Sequence, residues 1–212
     1  MADVAQDYLR WFHESNVWKG MGWRGVRTLK LPSDMWNYQE IIHQRGVQWV
    51  VETGTRHGGS ALYFADLLDA AGARGKVISA DVTHEALHPS IPHNSRIHLL
   101  LGDSGAPEMA AAIARLLPED RGPLFMILDS DHAASHVYRE LCSLVPLLRC
   151  GDYLVVEDTV VNGHPVRPEH GPGPWEALDR YLAEQPDTLQ ADVRRERKFG
   201  CSFAARGYFV KL

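Results

Sequence analysis

Residues 47–60 read VQWVVETGTRHGGS, and the fold is decided by this stretch. Its first half, Val47–Thr53, is a largely apolar run, which is typical of a strand buried on both faces of a parallel sheet. The glycines that follow let the backbone turn sharply and approach a ligand closely. Gly58–Ala71 then has helical periodicity, so the order is strand, glycine-rich loop and helix.

On the C-terminal side of this unit, apolar runs alternate with segments of helical period. The predicted strands are Lys76–Ala80, Ile97–Leu101, Leu124–Leu128 and Tyr153–Val156, and the predicted helices are Ala106–Leu117, Ser135–Leu148 and Trp175–Glu184. Such alternation indicates parallel strands joined by right-handed crossovers. The final strand-like segments, Leu189–Glu196 and Tyr208–Leu212, leave no room for a helix between them. We therefore expect an α/β, Rossmann-like fold with a mostly parallel seven-stranded sheet and an antiparallel C-terminal edge pair.

The first 45 residues do not follow this rhythm. Residues 3–16 predict an amphipathic helix, Trp18 to Lys30 an ordered loop or arm, and residues 34–45 a helix capped by Ser33 or Asp34. We interpret 1–45 as a helical arm or cap and 46–212 as the Rossmann-like core of one domain. The tryptophans of the arm either pack on a second copy of the chain, as a homo-oligomer, or cover the chain's own core.

Composition and charge exclude several classes of protein. The net charge is −5 and the pI is about 6.1. The short basic stretch at 194–198 is broken by Glu196 and is interpreted as a solvated face, so we expect no nucleic acid partner. No run of about 18 apolar residues occurs and the N-terminus lacks the apolar core of a signal peptide, so we expect no membrane association. Three cysteines without a CxxC spacing indicate a reducing compartment, and we expect a cytoplasmic protein.

Acidic residues mark the end of each predicted parallel strand. They are Glu52, Asp81, Asp103, Asp129, and Glu157 with Asp158. A single acid at such a position is a common cap for the next helix. A whole series favours a binding edge, because ligands of open parallel sheets bind beyond the carboxyl ends of the strands.

The loop from Glu52 to Ser60 favours a nucleoside without phosphates. Gly54 and Gly58 give GxxxG rather than the GxGxxG of NAD enzymes, and no P-loop lysine follows. Glu52 would repel a pyrophosphate but can pair with an ammonium group. Asp81 lies where an acid can accept hydrogen bonds from both ribose hydroxyls.

The segment Asp129-Ser130-Asp131-His132 and the pair Glu157-Asp158 end neighbouring strands, so they should meet in space. Converging carboxylates repel one another unless a cation joins them, and hard oxygen ligands favour Mg²⁺, with Mn²⁺ or Ca²⁺ as alternatives. A histidine can take up a proton near neutral pH, so His132 is a candidate base. The alternative interpretation makes Asp131 and Asp158 caps and His132 a surface histidine; His136, four residues on, is a weaker candidate base.

Several motifs occur together over nearly the whole chain. They are Lys30–Glu40 (KLPSDMWNYQE), Glu52–Ser60, Leu128–His132, Val156–Thr159, Asn162–Pro165, Lys198–Gly200 and Gly207-Tyr208. Their combination resembles the small methyltransferases grouped with cephalosporin hydroxylase, which depend on S-adenosylmethionine (SAM). Rhamnosyl and macrolide-sugar O-methyltransferases belong to the same group.

The resemblance implies a class I methyltransferase fold and a set of site residues. The implied SAM contacts are Glu52, Gly54, Thr55, Arg56, Gly58, Ser60, Asp81, Asp103, Ser104 and Asp129. The implied ligands of Mg²⁺, or of another divalent cation, are Glu157, Asp158 and either Asp129 or Asp131, which lie 28 and 26 residues before Glu157. His132 is implied as the catalytic base, because the lysine that follows this acidic motif in many relatives is absent here.

The expected function is therefore metal-assisted transfer of a methyl group from SAM to a hydroxyl of a small molecule, a sugar diol or catechol-like natural product of secondary metabolism. A metal-independent N-methyltransferase is the nearest variant. A metal-dependent hydroxylase of an antibiotic precursor is disfavoured, because an acid-rich cluster lacks the two histidines of an iron oxygenase. A non-catalytic SAM-binding partner protein is disfavoured by the intact acidic cluster.

Two further segments bear on substrate binding. Trp36, Tyr38 and Gln39 reach the pocket from a helix above it or simply pack in the core. Val161–Pro174, which is rich in proline and glycine, predicts a loop over the strand ends, a possible lid on which His164 faces the substrate.

Overall fold

The computed structural model describes residues 2–212, with side chains from residue 4 onward. Helix α1 (Ala2–Glu14) is followed by a 3₁₀ helix at Val17–Gly20 and by a hairpin of β1 (Gly22–Trp23) and β2 (Val26–Arg27). The segment from Trp18 to Lys30, predicted as an ordered loop or arm, therefore contains a two-stranded hairpin that was not predicted. Arg24 and Gly25 have φ of 49° and 83°, the positive values that a tight two-residue hairpin turn requires.

Helix α2 (Pro32–Gln44) begins earlier than its predicted cap. Pro32 occupies the first turn, and neither Ser33 nor Asp34 caps the helix, because both lie inside it. Asp34 is fully buried and accepts hydrogen bonds from the Phe203 backbone N–H (2.8 Å) and the Tyr208 hydroxyl (2.9 Å). Asp34 thus ties α2 to the C-terminal segment.

The centre of the molecule is one seven-stranded sheet. Its strands are β3 (Trp49–Thr53), β4 (Val77–Asp81), β5 (Ile97–Leu101), β6 (Leu124–Leu128), β7 (Tyr153–Val156), β8 (Leu189–Ala191) and β9 (Tyr208–Lys211). They lie in the order β5-β4-β3-β6-β7-β9-β8, and only the pairings of β9 are antiparallel. The predicted α/β fold class, with its antiparallel C-terminal edge pair, is confirmed.

Helices cover both faces of this sheet. They are α3 (Gly59–Ala70), α4 (Pro107–Leu116), α5 (Ala134–Leu144) and α6 (Pro174–Glu184), in addition to α2. One face packs against α4, α5 and α6, and the other against α2 and α3. The helix predicted to reach Leu148 ends at Leu144, and a 3₁₀ helix (Val145–Leu147) follows, because Pro146 has no N–H to donate.

The strand predicted over Leu189–Glu196 is too long. It ends at Ala191, and Asp192 then accepts a hydrogen bond from the Arg195 backbone N–H (3.0 Å), which caps the one-turn helix α7 (Val193–Glu196). The segment Val193–Glu196 was predicted as part of a strand, but the cap formed by Asp192 makes it a helical turn.

The N-terminal helix packs on its own chain. Leu9 and Phe12 are buried against Leu31, Val160 and Val166, so the arm covers part of its own core. The homo-oligomer stays a prediction. Among residues 2–212, no helix combines the length and apolar character needed to cross a bilayer.

Candidate active site

A cavity of about 1140 Å³ lies beyond the carboxyl ends of β3 to β7. Its floor is made by the segments that leave these strands, as expected for an open parallel sheet. The end of α1 and the segment after β2 contribute the facing wall. The arm therefore closes over the edge of the sheet at which the acidic residues were predicted to converge.

Most of the predicted site residues line this cavity. They are Gly54, Thr55, Arg56, Ser60, Asp81, Asp103, Ser104, Asp129, Asp131, His132, Glu157 and Asp158. Two do not: Glu52 and Gly58 lie behind the loop. Gly58 adopts φ 83° at the start of α3, next to Leu87 and Ile91.

Glu52 holds the glycine-rich loop from beneath. Its side chain is fully buried, and it accepts hydrogen bonds from the hydroxyls of Ser60 and Ser79, the latter at 3.1 Å. Burial raises the pKa of Glu52 to about 7. Both carboxylate oxygens are thus engaged inside the protein, and direct contact between Glu52 and a cofactor ammonium stays a prediction.

Gly54 allows β3 and β6 to approach each other where they end. A Cβ atom at this position would lie 1.9 Å from the Asp129 backbone oxygen, and the φ of 85° is one that other residues rarely adopt. Any side chain at position 54 would therefore push apart the loop and the strand that carries Asp129.

We expect Gly54→Ala to weaken binding of S-adenosylhomocysteine (SAH) by more than tenfold, because the loop and Asp129 must separate. Gly72→Ala is the matched control: φ there is +66°, but the added Cβ would meet open space. It should cost about 1 kcal/mol of stability and leave SAH affinity unchanged. Calorimetric titration of both variants makes the comparison. Equal SAH affinities would show that the close approach at Gly54 does not matter for binding.

Asp81 presents its carboxylate to the cavity from the end of β4. Its Oδ2 accepts a hydrogen bond from the Arg56 backbone N–H (2.7 Å), and its Oδ1 accepts one from Thr83 N–H (3.2 Å). A carboxylate has about four acceptor positions, so two remain for a ligand. This is the arrangement that a pair of ribose hydroxyls requires.

A polar network around His136 also lines the cavity. His136 Nε2 lies 3.1 Å from Ser104 Oγ and 3.0 Å from Ser130 Oγ, while Arg139 and Asp103 face its other ring nitrogen. The buried carboxylate of Glu140 raises the pKa of His136 through a hydrogen bond. His136 therefore belongs to this network with Asp103 and Ser104, and its ring is not one of the groups that cluster around Asp129 and Asp158.

The carboxylate cluster combines the ends of β6 and β7 with one histidine. Asp129, His132 and Asp158 each offer a ligand atom, and these atoms lie within 4.8 Å of one another. His132 Nε2 is 3.5 Å from Asp158 Oδ2. Glu157 is adjacent, and its Oε1 accepts a hydrogen bond from the buried hydroxyl of Tyr38 (2.6 Å).

Asp131 takes a different place from the other acids. Its Oδ1 accepts a hydrogen bond from the Ala133 backbone N–H (2.9 Å), directly before α5, and its side chain is exposed. Of the two aspartates that the sequence left open as metal ligands, Asp129 is the one that lies in the cluster with Asp158.

Lys30 is the residue that sequence reasoning missed. Its side chain is 4% exposed, and its Nζ contacts Asp129 Oδ2 and lies 3.1 Å from Glu157 Oε1. Burial alone would lower the pKa of Lys30, but attraction by Asp129 and Glu157 outweighs burial and raises it. The only signal in the sequence was the position of Lys30 in the motif KLPSDMWNYQE, which says nothing of its partners.

The packing of the chain determines where the other predicted substrate-contacting residues lie. Tyr38 is buried in the core and also reaches Glu157, whereas Trp36 is 59% exposed and donates to Glu40. His164 stacks on Trp175 with ring centroids 4.3 Å apart and lies 3.0 Å from Glu176. The structure thus places His164 against α6 rather than on the cavity wall.

A glycine-rich loop after the first sheet strand, a carboxylate with free acceptor positions after the second and an acidic cluster after the fourth and fifth define a class I methyltransferase. The family is settled by comparison with known proteins. The chain belongs to the rhamnosyl O-methyltransferase/CmcI family, whose profile matches residues 15–212.

Individual relatives agree with this assignment. The chain is 44% identical to a rhamnosyl O-methyltransferase of Mycobacterium leprae over 208 residues, which are 98% of this chain and 90% of that protein. A rhamnosyl O-methyltransferase of Mycobacterium tuberculosis is 43% identical over 98% of this chain and 85% of its own length. The predicted O-methyltransferase activity and the predicted family are confirmed.

Solved structures give the same result for the fold. A structure of CmcI with Mg and SAM superposes with a TM-score of 0.72 and 25% identity, over 92% of this chain and 77% of CmcI. The MycE methyltransferase from the mycinamycin biosynthetic pathway, in complex with Mg and SAH, superposes with a TM-score of 0.51 and 25% identity, over 73% of this chain and 41% of MycE.

Proposed function

We propose that this protein transfers the methyl group of SAM to a sugar hydroxyl of a small-molecule acceptor, with the help of a divalent cation such as Mg²⁺. The observation that carries the proposal is that the cluster of Asp129, His132 and Asp158 opens into the same cavity as the glycine-rich loop. The relatives named rhamnosyl O-methyltransferases support a sugar acceptor over a catechol.

The cavity residues fit SAM. Asp81 has acceptor positions for the ribose hydroxyls, and Gly54, Thr55, Arg56 and Ser60 form the loop against which the amino acid part would lie. Asp103 and Ser104 border the adenine end. Glu52 and Gly58 shape the loop from behind.

The donor set also fits a hard divalent cation. Asp129, Glu157 and Asp158 supply carboxylate oxygens, which Mg²⁺ prefers, and His132 stands at their edge. A cation held by these residues supplies Lewis-acid chemistry that makes an acceptor hydroxyl more acidic. Asp131 is the weaker candidate ligand, because its carboxylate already caps the Ala133 N–H.

His132 acts as the base in this proposal. Its imidazole takes the proton of the acceptor hydroxyl, the hydroxyl oxygen forms a bond to the methyl carbon, and the carbon–sulfur bond breaks to release SAH. Asp158, 3.5 Å from His132 Nε2, stabilises the protonated ring. If the cavity positions the methyl donor and the acceptor hydroxyl in line, this positioning would supply much of the rate.

The proposal also includes the domain division and the cellular compartment of the protein. It retains the division of one domain into an arm or cap, predicted for 1–45, and a core, predicted for 46–212. Cys142, Cys150 and Cys201 are free thiols, which supports a reducing, cytoplasmic environment.

Calorimetric titration with SAH, followed by a methylation assay, tests the function. We expect micromolar SAH binding, and methyl transfer to a rhamnoside such as 4-nitrophenyl rhamnoside that EDTA abolishes and Mg²⁺ restores. Catechol is the matched alternative acceptor. Absence of SAH binding would refute the cofactor assignment, and transfer that EDTA leaves unchanged would refute the metal assignment.

Replacing His132 by glutamine should lower kcat by about 100-fold, because general base catalysis typically contributes at least that factor. His136→Gln serves as the comparison. It should weaken SAH binding through Ser104 and leave kcat within tenfold. Steady-state kinetics with saturating SAM separate the two effects. A larger loss of kcat in His136→Gln would move the base to His136.

A further inference from the structure

Lys30 reaches the carboxylate cluster from the segment after β2, which forms the wall of the cavity opposite the strand ends. It follows Leu29, whose φ of 61° is uncommon for a residue with a side chain. Its Nζ contacts one oxygen of Asp129 and one oxygen of Glu157, and the same Glu157 oxygen accepts the hydroxyl of Tyr38. Each of the two carboxylates therefore keeps its second oxygen for another partner.

The carboxylates of the cluster need a positively charged partner even when no metal is bound. Asp129, Glu157 and Asp158 bring three negative charges to one place, and the side chain of Glu157 is only 5% exposed. Buried carboxylates without a partner are costly. Lys30 offsets one charge, and a divalent cation would offset the remaining two, so that the loaded site is neutral.

We propose that Lys30 is a permanent counter-ion of the metal site. Lys30 holds Asp129 and Glu157 in ligating positions before the metal binds, and its positive charge weakens metal binding so that the metal can exchange. The inference rests on the proposed metal-dependent function. The side chain of Lys30 is 4% exposed, whereas those of His132 and Asp158 are 30% and 25% exposed. The fixed positive charge stabilises the metal-free protein and repels the metal.

Replacing Lys30 by methionine, which has a similar length and no charge, tests the proposal. In EDTA, Lys30→Met should lower Tm by about 10 °C, since it removes the cationic partner of the buried Glu157 and the partly buried Asp129. Mg²⁺ should then raise the Tm of this variant more than that of the wild type, both measured with saturating SAH. Calorimetry should give a roughly tenfold tighter Mg²⁺ Kd, because the repelling charge is gone.

Two control variants distinguish the effect of losing the Lys30 charge from the effect of altered packing. Lys30→Arg keeps the charge and should restore Tm in EDTA at least partly, and Lys76→Met changes an exposed lysine and should alter neither Tm nor Kd. If Lys30→Met cannot be purified, Lys30→Gln replaces it. A purely structural role would lower Tm equally with and without Mg²⁺, and that result would overturn the proposal.

The outcome for the wild type distinguishes failure of this inference from failure of the proposed function. If wild-type protein with SAH shows no Mg²⁺-induced rise in Tm and no Mg²⁺ binding, the metal-dependent function is wrong and the inference falls with it. If the wild type binds Mg²⁺ and Lys30→Met shows the wild-type Tm in EDTA, only the role of Lys30 is wrong.

Discussion

Asp129→Asn should lower kcat/KM for methyl transfer by about 1000-fold. Asparagine has the shape of aspartate, so the backbone contact with Gly54 is kept while the charge that attracts the metal is lost. Lewis-acid catalysis is worth several kcal/mol, and about 1.4 kcal/mol corresponds to tenfold in rate, which gives this magnitude. Mg²⁺ titration of the SAH complex should show weakened metal binding in parallel.

Asp131→Asn is the matched comparison, two residues away in the same segment. Its carboxylate caps the Ala133 N–H, and an asparagine oxygen can accept the same hydrogen bond. We expect a loss of less than tenfold in kcat/KM and an unchanged Mg²⁺ affinity. A loss in Asp131→Asn that equals or exceeds the loss in Asp129→Asn would assign the metal to Asp131. Circular dichroism of both variants checks that the fold is kept.

Asp152→Ala should destabilise the protein by about 3–5 kcal/mol, because it leaves a buried arginine without its partner. Arg121 and Asp152 have side chains that are 2% and 4% exposed, and they form a two-point ion pair at the start of β6 and β7. Asp152 also accepts hydrogen bonds from the backbone N–H groups of Leu124 (2.8 Å) and Arg149 (2.7 Å). The substitution thus removes several partners of buried groups at once.

Urea denaturation measures this loss, and Asp179→Ala is its control. Asp179 pairs with Arg206 at the surface, where the two side chains are 51% and 44% exposed. Exposed pairs contribute about 0–1 kcal/mol, so Asp179→Ala should change the free energy of unfolding by no more than that. Equal stabilities of the two variants would show that the Arg121–Asp152 pair does not stabilise the fold.

Local periodicity predicted the elements of the core but not all of their ends. The apolar run Val47–Thr53 and the helical spacing after Gly58 required no knowledge of the rest of the chain, because burial on both faces leaves a continuous apolar pattern. The end of β8 at Ala191 could not be predicted in this way. There the cap formed by Asp192 competes with strand propensity, and the helical turn prevails.

The acidic residues after the strands were predicted from the same logic, yet their individual roles were not. Asp129 and Asp131 both follow β6, and only the direction of the chain after Leu128 decides that Asp129 joins Asp158 while Asp131 caps a backbone N–H. Glu52 has the right position in the motif, but its side chain points behind the loop. A motif fixes the order of residues along the chain and does not fix which way each side chain turns.

The sequence by itself determined the sheet, the cofactor loop, the acidic edge and, through its combined motifs, the family. The contacts that complete the site were decided by the tertiary structure alone. Lys30 meets Asp129 across 99 residues of sequence, and Tyr38 meets Glu157 across 119. Such pairs leave no periodic trace, because periodicity reports which face of a segment is buried, whereas the partner on that face depends on how distant segments pack.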